Sequence, residues 1–304
     1  MKHLFIINPI AGGKKGDYEE TKSIIQKYAD KHKIPYEIYI TKGPMDAPKK
    51  IVEEAKTEEL LYVYACGGDG TLNECVNGAA LRDNVAVTNY PCGTGNDFVK
   101  TFGDINVERF RDLDELITGE IIPLDLIDCD GRYGISICSV GIDARIANDV
   151  HKYSSIPVIG GATGYVVALI VNVLKGVSQK VRVSYDEKII ETPTTLVCAC
   201  NGRYYGGGFN PVPDAMPDDG IIDFLIVDEV SRLKVAQVVG KYKVGRFREL
   251  GNLAIHYRGQ YMQIEDDKEF VVNIDGEIIH ASKISFKMIP KGVKFLFPKD
   301  MKYV

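Results

Sequence analysis

The chain has no long apolar run. Its most hydrophobic stretch, Val166 to Leu174, is interrupted by Asn172 and falls far short of the roughly 18 to 20 residues that span a bilayer, so no transmembrane segment is expected. Surplus positive charge is missing too: 37 Lys and Arg stand against 42 Asp and Glu, a net charge of −5, and no overall field favours a nucleic-acid backbone. Internal repeats and low-complexity tracts are absent. With 45% hydrophobic and 26% charged residues over 304 positions, the composition is that of a globular cytoplasmic protein long enough for two modest domains. Cysteines at metal spacing are lacking as well. The seven (Cys66, Cys75, Cys92, Cys129, Cys138, Cys198, Cys200) are odd in number, scattered and mostly inside strand-like runs, which suits reduced, buried thiols. Cys198 and Cys200 share a strand face, yet no His or Cys pair completes a zinc set. The opening MKHLFIINPI is too strand-like, and too short in its apolar part, for a signal peptide; it is expected to belong to the mature chain.

What is present has two grains. Up to about Asp125, strand-like and helix-like segments alternate, the pattern of βαβ units building a parallel, Rossmann-like sheet. His3 to Ile7, Tyr36 to Ile40, Leu60 to Ala65 and Val85 to Asn89 read as strands. Asp17 and Asp46 stand as N-caps of the intervening helices, the second running through Ala55, and a third helix opens from the loop Cys66 to Thr71. After Asp125 come many short β-rich runs: Tyr133 to Val140, Val181 to Tyr185, Thr195 to Cys200, Ile222 to Val227, Tyr261 to Ile264, Phe270 to Ile274 and Lys283 to Met288. They read as a β-sandwich or barrel, with two helical insertions, Ala162 to Leu174 and one capped by Ser231. The expected domains are residues 1–125 and 126–289; spacing leaves open whether the last strand, Gly292 to Phe297, closes the second domain or returns to the first.

Three loops carry chemistry. Cys66-Gly67-Gly68-Asp69-Gly70-Thr71-Leu72-Asn73-Glu74 lies between a buried strand and a helix. Its glycines let the main chain approach a ligand, and the helix start offers free N–H groups and positive dipole to phosphate; Asp69 is placed to hold a metal-bound water or polarise a hydroxyl. Asn8-Pro9-Ile10-Ala11-Gly12-Gly13-Lys14-Lys15 follows the first strand, and Pro91-Cys92-Gly93-Thr94-Gly95-Asn96-Asp97 the fourth. All three fall at the carboxyl ends of parallel strands, where open α/β sheets bind ligands. In the second half, Asp218 and Asp219 sit in a turn whose oxygens suit a hard cation, and Asn273-Ile274-Asp275-Gly276-Glu277 ends a strand with two carboxylates that can face one cleft. A solvated turn and a hairpin turn are the bland readings of these two.

These loops resemble those of the diacylglycerol kinase catalytic-domain family, which includes bacterial lipid kinases and resembles sphingosine kinases; the likeness runs most of the chain. It implies a nucleotide-binding α/β domain followed by a β-sandwich domain, ATP and Mg²⁺ as cofactors, and transfer of the γ-phosphate to a lipid hydroxyl. On that resemblance Asn8, Pro9, Ile10, Ala11, Gly12, Thr41, Gly68, Asp69, Gly70, Thr71, Leu72, Asn73, Glu74 and Thr94 contact the nucleotide. Glu277 is the catalytic base, with Asp275 as its partner and Asp69 also catalytic. A structural Mg²⁺ is implied at Asp219 with neighbours Met216 and Ile221, where Met216 has only its backbone carbonyl to offer. The same chemistry leaves the acceptor open: diacylglycerol giving phosphatidate, a sphingoid base or another lipid alcohol. Rival readings are an NAD kinase, which shares the GGDGT piece, and a silent nucleotide or lipid sensor on the same fold.

A lipid acceptor implies peripheral contact with a membrane, from the cytoplasmic side, and phospholipid metabolism as the setting. The Ala162 to Leu174 helix and the stretch Lys241 to Arg248 mix basic, aromatic and apolar residues as an interfacial patch does; a core helix with a solvated basic face is the bland alternative. A symmetric homodimer is the generic expectation for such an enzyme.

Overall fold

The computed structural model describes residues 1–11, 18–57, 59–93, 95–154 and 161–301. The chain divides into two compact units, one of Met1–Leu126 with Pro290–Val304 and the other of Ile127–Ile289.

In the first unit, strands β1 (Lys2–Ile7), β2 (Tyr36–Ile40), β3 (Leu61–Gly67) and β4 (Val85–Pro91) alternate with helices α1 (Tyr18–His32), α2 (Asp46–Glu54) and α3 (Asp69–Ala79). Short helices α4 (Asp97–Lys100), α5 (Asp104–Val107) and α6 (Leu113–Ile117) follow, and strand β5 (Glu120–Cys129) leads out. β1, β3 and β4 read as nearly continuous apolar runs because a parallel sheet is covered on both faces; every residue of β4 is buried. The parallel order is β4-β3-β1-β2, so the chain leaves β1 toward one side and β3 toward the other, and the carboxyl ends of these two strands form a topological switch point. Asp46 is the first helical residue of α2 and not its cap: Met45 takes the cap position with φ 59°, while Asp46 Oδ2 accepts from the Lys42 amide and the Tyr39 hydroxyl.

The second unit contains β6 (Arg132–Gly134), β7 (Ile137–Gly141), α7 (Ile142–Ser154), α8 (Gly161–Lys175), β8 (Gln179–Lys180), β9 (Arg182–Tyr185), β10 (Lys188–Ile190), β11 (Pro193–Cys200), β12 (Ile222–Asp228), α9 (Val235–Lys243), β13 (Ala254–Gly259), β14 (Tyr261–Ile274) and the larger part of β15 (Glu277–Phe297). Its sheet is antiparallel, in the order β13-β12-β11-β7-β14-β15. Alternation along the strands divides the core. Val197, Ala199, Phe224 and Ile226 point into a sandwich interior with Met262, Ile264, Val272 and Phe286, while Leu196, Cys198, Cys200, Leu225 and Val227 face the helical side with Ile142, Ile146, Ala168, Val235 and Val238.

The sequence reading breaks this half too finely. Tyr261 to Ile264 and Phe270 to Ile274 are one strand, β14, whose register shifts between Glu265 and Phe270, and such irregularities bend a strand. Helix α7 is not among the expected elements, although Ile142, Ile146 and Val150 recur at i, i+4 and i+8 and pack on the helical side of the sheet. The helix expected from Ser231 starts instead at Val235, with Ser231 closing a turn to the Lys234 amide. The last strand, left open by spacing, pairs in parallel with β4 through Lys294↔Ala86 and Phe295↔Val87, and Phe295 and Phe297 join Phe98, Phe102 and Phe110 in an aromatic cluster.

At the first turn of α7 lies a half-buried polar chain: the Tyr205 hydroxyl donates to Asp143 Oδ2 at 2.8 Å and meets the Tyr242 hydroxyl at 2.7 Å. Burial pushes the Asp143 carboxyl up to about 6, against the lowering effect of its hydrogen bonds. Because the folded state holds this proton at pH values where the unfolded chain has already lost it, the contribution of Asp143 to stability falls as pH rises from about 4 to about 6. Asp143→Asn is expected to remove that slope, a relative gain of about 3 kcal/mol above pH 6. Urea midpoints of both proteins across pH 4 to 7 measure it, and parallel curves would refute it.

Candidate active site

Register brings the loops of the first unit together. Ile7 lies opposite both Ile40 and Cys66, and Gly67 opposite Pro91, so the segments that start at Asn8, Thr41, Gly68 and Cys92 leave the sheet along one edge. Backbone bonds continue the alignment into the loops: Asn8 N to Cys66 O at 3.2 Å, Thr41 N to Ile7 O at 2.9 Å and Cys92 N to Gly67 O at 3.0 Å. Across the switch point, Asn8 Nδ2 donates to Thr71 Oγ1 at 3.1 Å, while Asn8 Oδ1 accepts from the Ile10 amide. Gly12, Lys14, Lys15, Asp17 and Thr94 lie outside the described residues.

The glycine turn is built by close approach. A Cβ on Gly67 would meet Thr71 Oγ1 at 2.2 Å, and one on Gly93 would meet the Cα of Gly68 at 2.5 Å. Only glycine lets the turns after β3 and β4 lie this near each other. Gly68 is the extended N-cap of α3 and supplies no side-chain cap, so the helix start is left to backbone chemistry. Asp69 Oδ1 accepts from the amides of Asp97 at 2.7 Å and Phe98 at 3.2 Å, tying the two turns together. Asp97 is 2% exposed and pairs with Lys100 at 2.7 Å. Further along α3, Leu72 and Asn73 are buried, and Glu74 Oε1 accepts from the Met45 amide at 2.8 Å, fixing the start of α2. Pro9 and Ala11 are half-buried, and Ile10 is exposed.

Sequence reasoning missed the cavity at this edge. It measures about 480 Å³ and is lined by Ile7, Asn8, Ala11, Tyr18, Thr21, Cys66, Tyr90, Cys92 and Arg111, among others. Arg111 is held by Nε to the Pro91 carbonyl at 3.0 Å and by Nη1 to Glu108 at 2.6 Å. No spacing rule singles out an arginine in a one-turn helix.

In the second unit, Asp275 and Gly276 have φ of 50° and 98° between the paired residues Ile274 and Glu277, the signature of a two-residue Asp-Gly hairpin. The Asp275 carboxylate accepts from the amides of Ile135 at 2.6 Å, Ser136 at 3.0 Å and Ile137 at 2.8 Å, so it anchors the loop that carries them. The anchored loop is held again from the 201–204 segment, by Asn201 Nδ2 to Ile135 O at 2.7 Å and by Asn201 N and Gly202 N to Ser136 O. Glu277, which follows this anchored turn, is half-buried.

The expected metal position fits poorly. Asp219 Oδ1 accepts from Ile221 N at 3.0 Å and its Oδ2 from Arg258 Nη2 at 2.5 Å; Arg258 also reaches Asp223 at 3.2 Å. The Met216 sulfur lies 3.0 Å from Arg203 Nη2. Mg²⁺ asks for six oxygens, and a guanidinium already neutralises the carboxylates here. Chelation by EDTA is therefore expected to leave the melting temperature unchanged, while Arg258→Gln, which leaves Asp223 to His256 at 2.7 Å and removes a half-exposed pair from Asp219, destabilises by no more than about 1 kcal/mol. A melting temperature that drops on chelation and returns with Mg²⁺ would overturn this.

Comparison with known proteins agrees with the geometry. Residues 2–129 match the model of the diacylglycerol kinase catalytic domain, and residues 136–297 that of the YegS C-terminal NAD kinase beta sandwich-like domain. A Staphylococcus aureus (strain MRSA252) protein named "Putative lipid kinase" is 27% identical over 253 residues, 83% of this chain and 81% of its own. One of the same name from strain Newman is 27% identical over 248 residues, 81% of this chain and 80% of its own. Among solved structures, that of "a putative diacylglycerol kinase from Bacillus anthracis str. Sterne" shares 26% identity, covers 99% of this chain and 96% of that one, and superposes with a TM-score of 0.77. A second Bacillus anthracis structure, of a diacylglycerol kinase, superposes at 0.68 over 99% of this chain and 98% of that one, and at 22% identity shows the common fold alone. With its two segments matching these two models in the order in which the fold lays them out, the chain belongs to the diacylglycerol kinase catalytic-domain family.

Proposed function

We propose that this protein transfers the γ-phosphate of ATP to the hydroxyl of a membrane lipid, diacylglycerol or a close relative, giving phosphatidate or the corresponding phosphate. The observation that carries the reading is the shared sheet edge, where the turns after β1, β3 and β4 are locked by the Asn8–Thr71 bond and the Gly68–Gly93 approach. Backbone amides at the start of α3, an 11-residue helix, offer partial positive charge to phosphate, which is the ATP-holding role we give to Gly68, Asp69, Gly70 and Thr71. Mg²⁺ carried by the nucleotide supplies charge neutralisation. Phosphoryl transfer then needs positioning and a carboxylate to take the hydroxyl proton, and Glu277 after its anchored turn is the carboxylate we assign. The names of the relatives support a lipid acceptor. The protein then works at the inner face of the membrane from the cytoplasm; among the described residues no helix is long and apolar enough to cross one.

The test is a Mg²⁺-dependent transfer assay with labelled ATP across diacylglycerol, a sphingoid base, a polyprenol and NAD. Label is expected in diacylglycerol foremost. Transfer to NAD alone would replace the lipid reading, and ATP binding without transfer to any acceptor would make the protein a sensor.

A further inference from the structure

The sequence offers two basic and apolar segments as a membrane-facing surface, and the structure leaves fewer apolar and unpaired basic groups exposed on one of them. In the 241–248 stretch, Tyr242 and Phe247 are buried in the core. Lys241 and Arg246 pair with Glu249, and Arg248 pairs with Asp214. What this stretch leaves to solvent is Val244, 58% exposed, and Lys243, which lies over the Phe209 ring at 5.4 Å from its centroid.

The other end of the helical side is different. On α8, Ile170 and Leu174 stand one turn apart and are 53% and 65% exposed. Arg232 Nη2 donates to the Leu174 carbonyl at 2.9 Å, which fastens the turn 231–234 to the carboxyl end of that helix. At this turn Leu233 is 95% exposed, the most exposed large apolar side chain among the described residues. It stands between Arg232 and Lys234, neither of which has an ion-pair partner among the described residues. Lys175, at the end of α8, is matched by Asp149, and Glu229 is the acidic residue nearest the turn in sequence. Three exposed aliphatic side chains therefore stand with two cations that have no ion-pair partner among the described residues. They suit a surface that is apolar below and negatively charged at the headgroups.

We infer that the carboxyl end of α8 and the Ser231 to Lys234 turn seat the protein on an anionic phospholipid bilayer. This rests on the proposed function, since a lipid acceptor has to be reached in its bilayer, yet its test needs no turnover. Full-length protein is sedimented with vesicles of phosphatidylcholine alone or mixed with phosphatidylglycerol, at low and raised salt. The wild type is expected to bind the anionic vesicles, less so as salt rises. Leu233→Ser should lower the partition coefficient about 10-fold, and Leu233→Ser with Leu174→Ser about 100-fold. Arg232→Ser with Lys234→Ser should abolish the preference for phosphatidylglycerol. Ile189→Ser, at another exposed aliphatic residue of the same unit, should bind like the wild type and so excludes a general effect of surface apolarity. Circular dichroism checks each fold, and Leu233, being almost wholly exposed, can be changed without disturbing packing.

Wild-type binding by the Leu233→Ser, Leu174→Ser protein, or no binding of wild type to anionic vesicles, overturns the inference. If patch variants lose vesicle binding yet phosphorylate a short-chain diacylglycerol in solution at the normal rate, surface and function both stand. If vesicle binding depends on the patch while no lipid is phosphorylated, the surface stands and the functional reading fails.

Discussion

A Glu277→Gln protein is expected to fold normally and to lose phosphoryl transfer by about 10²–10⁴-fold, the usual worth of a positioned general base. The loss belongs in kcat, with the KM values for ATP and lipid little changed, because glutamine keeps the shape and removes only the proton acceptor. Its neighbour should behave in the opposite way. Asp275 offers two carboxylate oxygens to three amides, and asparagine replaces one of those oxygens with a group that cannot accept. Asp275→Asn is therefore expected to cost about 2–4 kcal/mol of stability in the second unit and to lower activity through the fraction folded and the placement of Glu277. Denaturant melts and a labelled-ATP assay on both proteins separate the two roles. Glu277→Gln transferring at the wild-type rate removes Glu277 from the chemistry, and an unchanged midpoint for Asp275→Asn removes the anchor.

That contrast shows where sequence reading stops. Two carboxylates spaced two apart look alike on paper; what distinguishes them is a loop 138 to 140 residues earlier in the chain whose amides claim one of them. The first unit was legible because its information is local. Period and burial define β1 to β4, each turn sits at a strand end, and the glycines mark the sheet edge on which those turns meet. The second unit hides its logic in long-range pairs. Arg258 occupies the carboxylates of Asp219 and Asp223 from 35 to 39 residues away, and α7 is buried on the sheet through three aliphatic residues in a sequence otherwise rich in charge. Segment boundaries blurred for a similar reason: a register shift inside β14 looks in sequence like a loop between two strands.

The close approach of Gly68 and Gly93 makes the proposed phosphate edge fragile. Gly93→Ala would put a methyl 2.5 Å from the Cα and 3.0 Å from the N of Gly68, both backbone atoms, so no side chain can swing aside to make room. The turns must separate, yet Cys92 N and Gly93 N both bond to Gly67 O, and Asp69 ties the Gly68 turn to the amides of Asp97 and Phe98. Moving one turn therefore strains every bond between them, at about 1–3 kcal/mol for overpacking of this kind. Because the amides that would hold phosphate belong to the displaced backbone, ATP affinity is expected to fall by more than about 10-fold, the effect of only about 1.4 kcal/mol of lost binding. Gly43→Ala is the matched control: a Cβ there meets nothing within 4 Å, and the change is expected to be neutral or to stabilise by a few tenths of a kcal/mol. Titration with a fluorescent ATP analogue, together with thermal melts, reads both effects. Wild-type affinity in Gly93→Ala would mean that nucleotide is held elsewhere, because no arrangement of these two turns keeps its amides in place around an added methyl.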